Sequence, residues 1–300
     1  MAPTAKSPVL EALETDGFVV IPSLLTPAQL TELRDAAART TSLARDGKWR
    51  SVRTLPKQFP PWNIGEGENP AALGIWGVQL LMHPDMPDHE LFIRTYFSDA
   101  LVNPAKSLLQ CEDDDLVMEL FNLLVRPDRD FELRWHRDDI APEATAEEEL
   151  ERLAKPAWHA QWNLALYDDK SLIAVPGSHT RARTDGERGA DPFEEHVPGQ
   201  KVVTLRAGDI IFYNNNILHR GVYDSTVERM TLHGSVGHVK GSAYRARNVL
   251  QHGLKEWIDK CDFSTVSDKE RPRAEHMRAQ LIELAGKTGD VASLGFSLKG

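Results

Sequence analysis

The chain has little cysteine. Two residues among 300, Cys111 and Cys261, are too few for a disulfide framework and form no thiolate zinc motif, which fits a reducing compartment. It also lacks a surplus of positive charge. Forty-five acidic residues stand against 35 basic ones, a formal charge of −10, and no basic cluster is present to track a phosphate backbone, so a nucleic-acid partner is not expected. No apolar run approaches membrane length, residues 1–8 contain no apolar signal core, and Ser297-Leu298-Lys299-Gly300 is not the peroxisomal tripeptide. Internal repeats are missing, as is any linker long enough to separate domains. The expectation is one domain over residues 1–300 of a cytoplasmic protein with no membrane partner. The oligomeric state is not readable.

What is present is clear local punctuation. Asp16-Gly17 reads as a turn feeding a strand, Phe18 to Ile21, which Pro22 ends. Thr26 is a helix N-cap, Pro27 fits the first helical position, and Gln29 completes a capping box ahead of Leu30, Leu33 and Ala37 at helical spacing. From Gly47 to Pro87 the pattern breaks, with six prolines and glycines from Pro56 to Pro70 among Trp49, Trp62 and Trp76. This segment is a candidate lid or substrate wall, or else an Ω-like loop pinned by its tryptophans. Leu91 to Leu109 has helical character interrupted near Pro104. Leu116 to Val125 suits a buried strand, with Asn122 its polar exception, and Glu143 to Glu151 reads as a solvated surface helix stopped by Pro156.

Further strands are expected at Trp158 to Tyr167 and Leu172 to Val175, joined by Asp168-Asp169-Lys170. Lys201 to Leu205 and Ile210 to Tyr213 are expected to pair around Ala207-Gly208-Asp209. After about residue 245 helices return, including an amphipathic one near Arg273 to Leu284. Strands in the middle and helices at the ends imply a mainly β fold with flanking helices, a double-sheet jelly roll with its core over about 10–245 and a helical extension over about 246–300.

The chemistry concentrates in Trp135-His136-Arg137-Asp138, with His219 and Arg229 far downstream. In an extended segment His136 and Asp138 project to one face while Arg137 and Asp139 point away, so Asp138 rather than Asp139 is the candidate ligand. A third ligand from His219 would complete a two-histidine, one-carboxylate set with open positions, which suits ferrous iron best. If His219 closes one strand, residues 221–226 turn, and residues 227–236 form the next strand, Arg229 lies near the metal, able to grip a carboxylate bidentately. Arg229, Thr231, His233 and Ser235 then share a polar face, and Met230, Leu232 and Val236 an apolar one. Of the remaining histidines, His179 reads as scaffold, His233 as a neighbour of the ligands, and His83, His159, His238 and His252 as having no partner at useful spacing.

Four segments in order resemble the phytanoyl-CoA dioxygenase family: residues 13–22, Trp135-His136-Arg137-Asp138, Val175-Pro176-Gly177-Ser178-His179, and Ala207-Gly208-Asp209 leading to Leu218-His219-Arg220-Gly221. The likeness runs over roughly residues 10–245. It implies a double-stranded β-helix, cupin-like enzyme using Fe(II), 2-oxoglutarate and O2, with His136, Asp138 and His219 on iron and Arg229 on the remote carboxylate of 2-oxoglutarate. A C–H bond of a small or medium organic substrate would be oxidised while 2-oxoglutarate becomes succinate and CO2. Related halogenases have a small residue in place of the carboxylate, so Asp138 favours hydroxylation, desaturation or ring formation over halogenation.

The chain departs from the family where a Gly-Ala-Thr-type turn often precedes the Pro-Gly-Ser-His segment. Ser171-Leu172 stand there instead, leaving open a second hydrogen bond to 2-oxoglutarate, for which Asn122 and Arg134 are candidates. Asn122 could equally satisfy buried backbone, and Arg134 an ion pair or the substrate. A nucleotide diphosphate on the substrate would require Arg126, Arg129, Arg181 and Arg183 to converge. Rival readings are a cupin-like metal-dependent hydrolase or isomerase, or a non-catalytic metal-binding barrel.

Overall fold

The structure, a computed structural model, describes residues 6–60, 62 and 64–288; most of the expectation for residues 1–8, and all of that for Pro61 and residues 297–300, lies outside them. Helix α1 (Pro8–Asp16) leads through Gly17 into strand β1 (Phe18–Ile21), followed by α2 (Pro27–Arg45), where both halves of the Thr26–Gln29 capping box form. Strands β2 (Val52–Thr54) and β3 (Ile75–Val78) come next, then α3 (His89–Phe97), α4 (Asp99–Leu109), β4 (Leu116–Val125), β5 (Phe131–Glu132) and α5 (Ala146–Leu153). The chain continues through β6 (His159–Ala165), β7 (Leu172–Val175), α6 (Asp185–Gly189), β8 (Lys201–Val202), β9 (Ile210–Tyr213), β10 (Leu218–Tyr223) and β11 (Met230–His238). Helices α7 (Ala243–Val249) and α8 (Arg271–Gly286) follow among the described residues.

The strands form two antiparallel sheets, a larger one in the order β1-β9-β6-β11-β4-β3-β2 and a smaller one in the order β5-β10-β7-β8. Alternation explains their packing. Leu232 and Val236 of β11, Trp162 and Leu164 of β6 and Phe212 of β9 sit in the main core with Phe92, Tyr96 and Phe97 of α3 and Met277 and Leu281 of α8. The opposite face of the larger sheet carries Gln161, Asn163, Tyr213 and His233, which line a cavity together with residues of the smaller sheet. Helices therefore cover one side of the larger sheet and the site occupies the other, the jelly-roll arrangement the strand pattern implied.

Several boundaries differ from expectation. Residues 47–87 are not wholly irregular, because β2 and β3 extend the larger sheet through β4. Strands of three and four residues are too short to show a period among so many glycines and prolines. The helical break falls at Ser98, which is extended (φ −63°, ψ 144°), while Pro104 lies inside α4, whose Leu101, Val102, Ala105 and Leu108 remain buried. The two strands expected to pair around Ala207-Gly208-Asp209 belong to opposite sheets: β8 pairs with β7, and β9 with β1 and β6. Likewise β6 and β7 lie in different sheets, so both turns cross between layers.

His219 lies at the start of β10 rather than closing a strand, and the loop before β11 is residues 224–229. Gly221 had the look of a turn glycine. It is a strand residue opposite Leu172, where a Cβ would run into the Tyr223 hydroxyl. The acidic helix is not all surface either: Glu149 is fully buried against Arg183 and Arg188.

Candidate metal centre and co-substrate site

The segment after β5 runs beside β10 without forming a regular strand, and one antiparallel bridge joins His136 to His219. Its backbone bonds, His136 N to His219 O at 3.0 Å and the reverse at 3.1 Å, place the two imidazoles side by side. Each ring is oriented by its own chain. His136 Nδ1 lies 2.8 Å from Arg134 O and His219 Nδ1 2.8 Å from Ile217 O. A carbonyl only accepts, so each Nδ1 carries the proton and each Nε2 presents a lone pair.

Asp138 Oδ1 lies 3.5 Å from His136 Nε2 and 3.6 Å from His219 Nε2. One ligand atom from each residue falls within 4.8 Å of the others. The second carboxylate oxygen, Oδ2, accepts from Gln161 Nε2 at 2.9 Å, which leaves Oδ1 as the free donor. Burial opposes ionisation of Asp138, but the facing imidazoles and the Gln161 amide outweigh it and hold the carboxyl well below the usual carboxylate range. Burial, helped by neighbouring His136, pulls His219 down to about 4. Two neutral imidazoles and a carboxylate are the donor set a divalent iron with open positions accepts. Asp139 turns away, to Arg152 at 2.6 Å and to the Asn215 amide.

Arg229 immediately precedes β11 and lines the same cavity. Its Nε donates to Asp169 Oδ2 at 3.0 Å, an oxygen that also accepts from Thr231 Oγ1 at 2.8 Å, and its guanidinium carbon lies 4.5 Å from the centre of the Tyr223 ring. Its Nη1 is buried without a hydrogen-bond partner. A buried charged donor left open on the wall of a metal cavity fits the carboxylate of a dicarboxylic co-substrate.

The two lesser candidates stand elsewhere. Asn122 is buried opposite His233, and its Oδ1 accepts from Leu80 N at 3.0 Å, which fits the satisfaction of buried backbone. The Arg134 guanidinium lies 4.9 Å from the centre of the Phe59 ring, while its carbonyl orients His136. Neither is among the residues lining the cavity. None of the four arginines considered for a diphosphate lines the cavity, and three have acidic partners: Arg181 pairs with Glu187, Arg183 with Glu149, and Arg126 with Glu228.

His179 Nε2 meets Glu14 O at 3.1 Å, a scaffold contact, and His233 Nδ1 meets Asn163 Oδ1 at 2.8 Å beside the site. His252, for which sequence spacing offered no partner, also lines the cavity. Asp169, Gln161, Arg53 and Tyr223 were not singled out by sequence pattern. Only Gln161, a polar residue between Ala160 and Trp162 in a buried strand, carried a local signal. Phe59, Trp62 and Trp76 do line the cavity, as a substrate wall requires.

The sequence matches the family described as Phytanoyl-CoA dioxygenase (PhyH) over residues 13–226. The fold resembles that of AviO1 from Streptomyces viridochromogenes Tue57 (20% identity, TM-score 0.54, covering 79% of this chain and 96% of that one). It also resembles EctD from S. alaskensis with bound Fe (18%, 0.55, 78% and 76%), and HygX from Streptomyces hygroscopicus with nickel and 2-oxoglutarate bound (17%, 0.53, 78% and 87%). No curated protein matches the sequence. The chain belongs to the phytanoyl-CoA dioxygenase family. It is a non-haem iron, 2-oxoglutarate-dependent oxygenase with a metal site at His136, Asp138 and His219. No helix among the described residues is long and apolar enough to cross a membrane.

Proposed function

We propose that the protein hydroxylates a C–H bond of a small or medium organic metabolite. In this reading His136, Asp138 and His219 hold Fe(II), and Arg229 holds the remote carboxylate of 2-oxoglutarate. The bound iron and 2-oxoglutarate supply the oxidant from O2, with succinate and CO2 as co-products. The chain's own residues position and shield. Arg134 O and Ile217 O fix the histidine tautomers, and Gln161 fixes the carboxylate. Phe59, Trp62, Trp76 and Tyr223 supply apolar walls that keep bulk water from the reacting carbon.

A carboxylate at Asp138 leaves no small-residue gap for halide, which supports oxygen insertion over halogenation. The cavity volume of about 230 Å³ supports a small substrate, or one end of a larger one. EctD of S. alaskensis, similar in fold, has been seen with 2-oxoglutarate and 5-hydroxyectoine, a hydroxylated small molecule. Both cysteines are free, consistent with a cytoplasmic setting.

The observation that carries the reading is the unpartnered Nη1 of Arg229 on the cavity wall. A hydrolase or isomerase on the same barrel needs the three ligands but not this donor. Anaerobic addition of Fe(II) and 2-oxoglutarate should give a weak visible charge-transfer band, and Arg229→Ala should weaken 2-oxoglutarate binding by about ten- to a hundredfold while sparing iron binding. Absence of the band in folded, iron-loaded protein would sink the chelate. Succinate release across a metabolite panel then identifies the substrate.

A further inference from the structure

A second guanidinium enters the cavity. Arg53 of β2 lines it together with the triad and Arg229. Its register partner is Gly77 of β3, where an added Cβ would stand 2.9 Å from Arg53 Cδ and 3.3 Å from Arg53 Cβ. Any side chain at position 77 would push this arginine aside. Two mutually T-shaped indoles contact the guanidinium, whose carbon lies 4.8 Å from the Trp62 ring centre and 5.3 Å from that of Trp76. Nε is buried without a hydrogen-bond partner. Burial pulls the group down to about 10, so it stays charged at neutral pH.

Charge balance says what this arginine is for. The other cations around the cavity have acidic partners: Arg229 has Asp169 at 3.0 Å and Arg245 has Glu119 at 2.6 Å. Among the described residues no carboxylate forms an ion pair with Arg53; Asp138 acts on it only at a distance. A divalent iron with Asp138 leaves one positive charge, and 2-oxoglutarate brings two negative ones. Without Arg53 the loaded site carries an uncompensated negative charge in a poorly solvated space, and with it the site is neutral. Asp169 is the reason one arginine is not enough.

We infer that Arg53 is the second cationic contact for 2-oxoglutarate, and that glycine at position 77 keeps its path into the cavity open. The inference rests on the co-substrate reading above and answers what Asn122 and Arg134 left open. It is tested by anaerobic titration of 2-oxoglutarate into the iron-loaded wild type, Arg53→Met, Arg53→Lys and Gly77→Ala, following the charge-transfer band and, separately, iron affinity.

Arg53→Met should raise the dissociation constant for 2-oxoglutarate by about ten- to a hundredfold. Arg53→Lys should raise it less, Gly77→Ala should raise it by displacing the arginine stem, and iron affinity should hold within about twofold. Should Arg53→Met fail to fold, the lysine and alanine variants decide. Unchanged 2-oxoglutarate affinity in the folded variants overturns the inference. Failure of the wild type itself to bind 2-oxoglutarate overturns the co-substrate reading instead, and the inference with it.

Discussion

Arg137 sits in sequence between the candidate metal ligands His136 and Asp138 and does not line the cavity, yet the structure makes it the anchor of that segment. It is 2% exposed. Its guanidinium donates to Ser178 O at 2.9 Å, to Arg181 O at 3.1 Å and to Asn216 O, and its Nε lies 4.0 Å from Glu149 Oε1. One side chain thus ties the His136–Asp138 segment to the Pro-Gly-Ser-His turn and to the loop that delivers His219. Replacing it with leucine removes three hydrogen bonds from a charged donor, each worth roughly 1.5–3 kcal/mol, and strands three carbonyls. Some of that loss is offset, because burying the charge is itself unfavourable and Glu149 keeps Arg183 and Arg188.

The net loss expected for Arg137→Leu is about 3–5 kcal/mol, a large share of a domain's roughly 5–15 kcal/mol. Urea denaturation of the apoprotein measures it, and iron titration should show affinity reduced about ten- to a hundredfold, as when support behind metal ligands is lost. Arg137→Lys keeps the charge without the planar fork and should fall between. A leucine variant within about 1 kcal/mol of wild type and with unaltered iron affinity would refute the anchoring role.

Gln161→Leu should free Asp138 Oδ2, lowering iron affinity about tenfold and shifting the charge-transfer band while leaving the urea midpoint nearly unmoved; an unshifted band with wild-type affinity would count against the restraint. The apoprotein should lose stability as pH falls from about 6.5 toward 4. Burial pulls His219 and His252 down to about 4 and His233 to about 3, so the unfolded chain takes up protons first and folded stability rises with pH across that window. Each histidine contributes roughly 1 kcal/mol or more, and a flat urea midpoint over that range would contradict it. Burial pushes Cys261 up to about 12 and Cys111 to about 11. Iodoacetamide at pH 8 should therefore label native protein slowly and denatured protein twice, and rapid native labelling would overturn that picture.

Much of the site was legible because its signals are local or chemically distinctive. The capping box at Thr26 and Gln29 is closed within four residues, so it forms as written. His136 and Asp138 are separated by one residue, and that spacing favours Asp138 over Asp139 as the ligand, the carboxylate that clusters with the two histidines. Arg229, Thr231, His233 and Ser235 alternate with apolar neighbours, and β11 separates them onto two faces even though its register shifts between Gly234 and Val236. Where a pattern repeats, the face is readable before the fold is known.

The misread residues fail for the opposite reason: each takes its meaning from a partner far away in the chain. Glu149 lies in a run of glutamates whose other members face solvent, and Arg183, Arg188 and Arg137 make it a buried counter-charge. Gly221 stands in a strand because Tyr223 needs its space, which no turn propensity encodes. Asp169, read as a turn residue, is the anion that orients Arg229, and by neutralising it changes what the rest of the cavity must provide. The pairing of Arg229 with Asp169 therefore shifts attention to Arg53, whose short strand was hidden among prolines and tryptophans. In the proposed reading Arg229 binds a carboxylate, and how much of its charge is left for that carboxylate depends on Asp169 behind it, an acid found only in three dimensions.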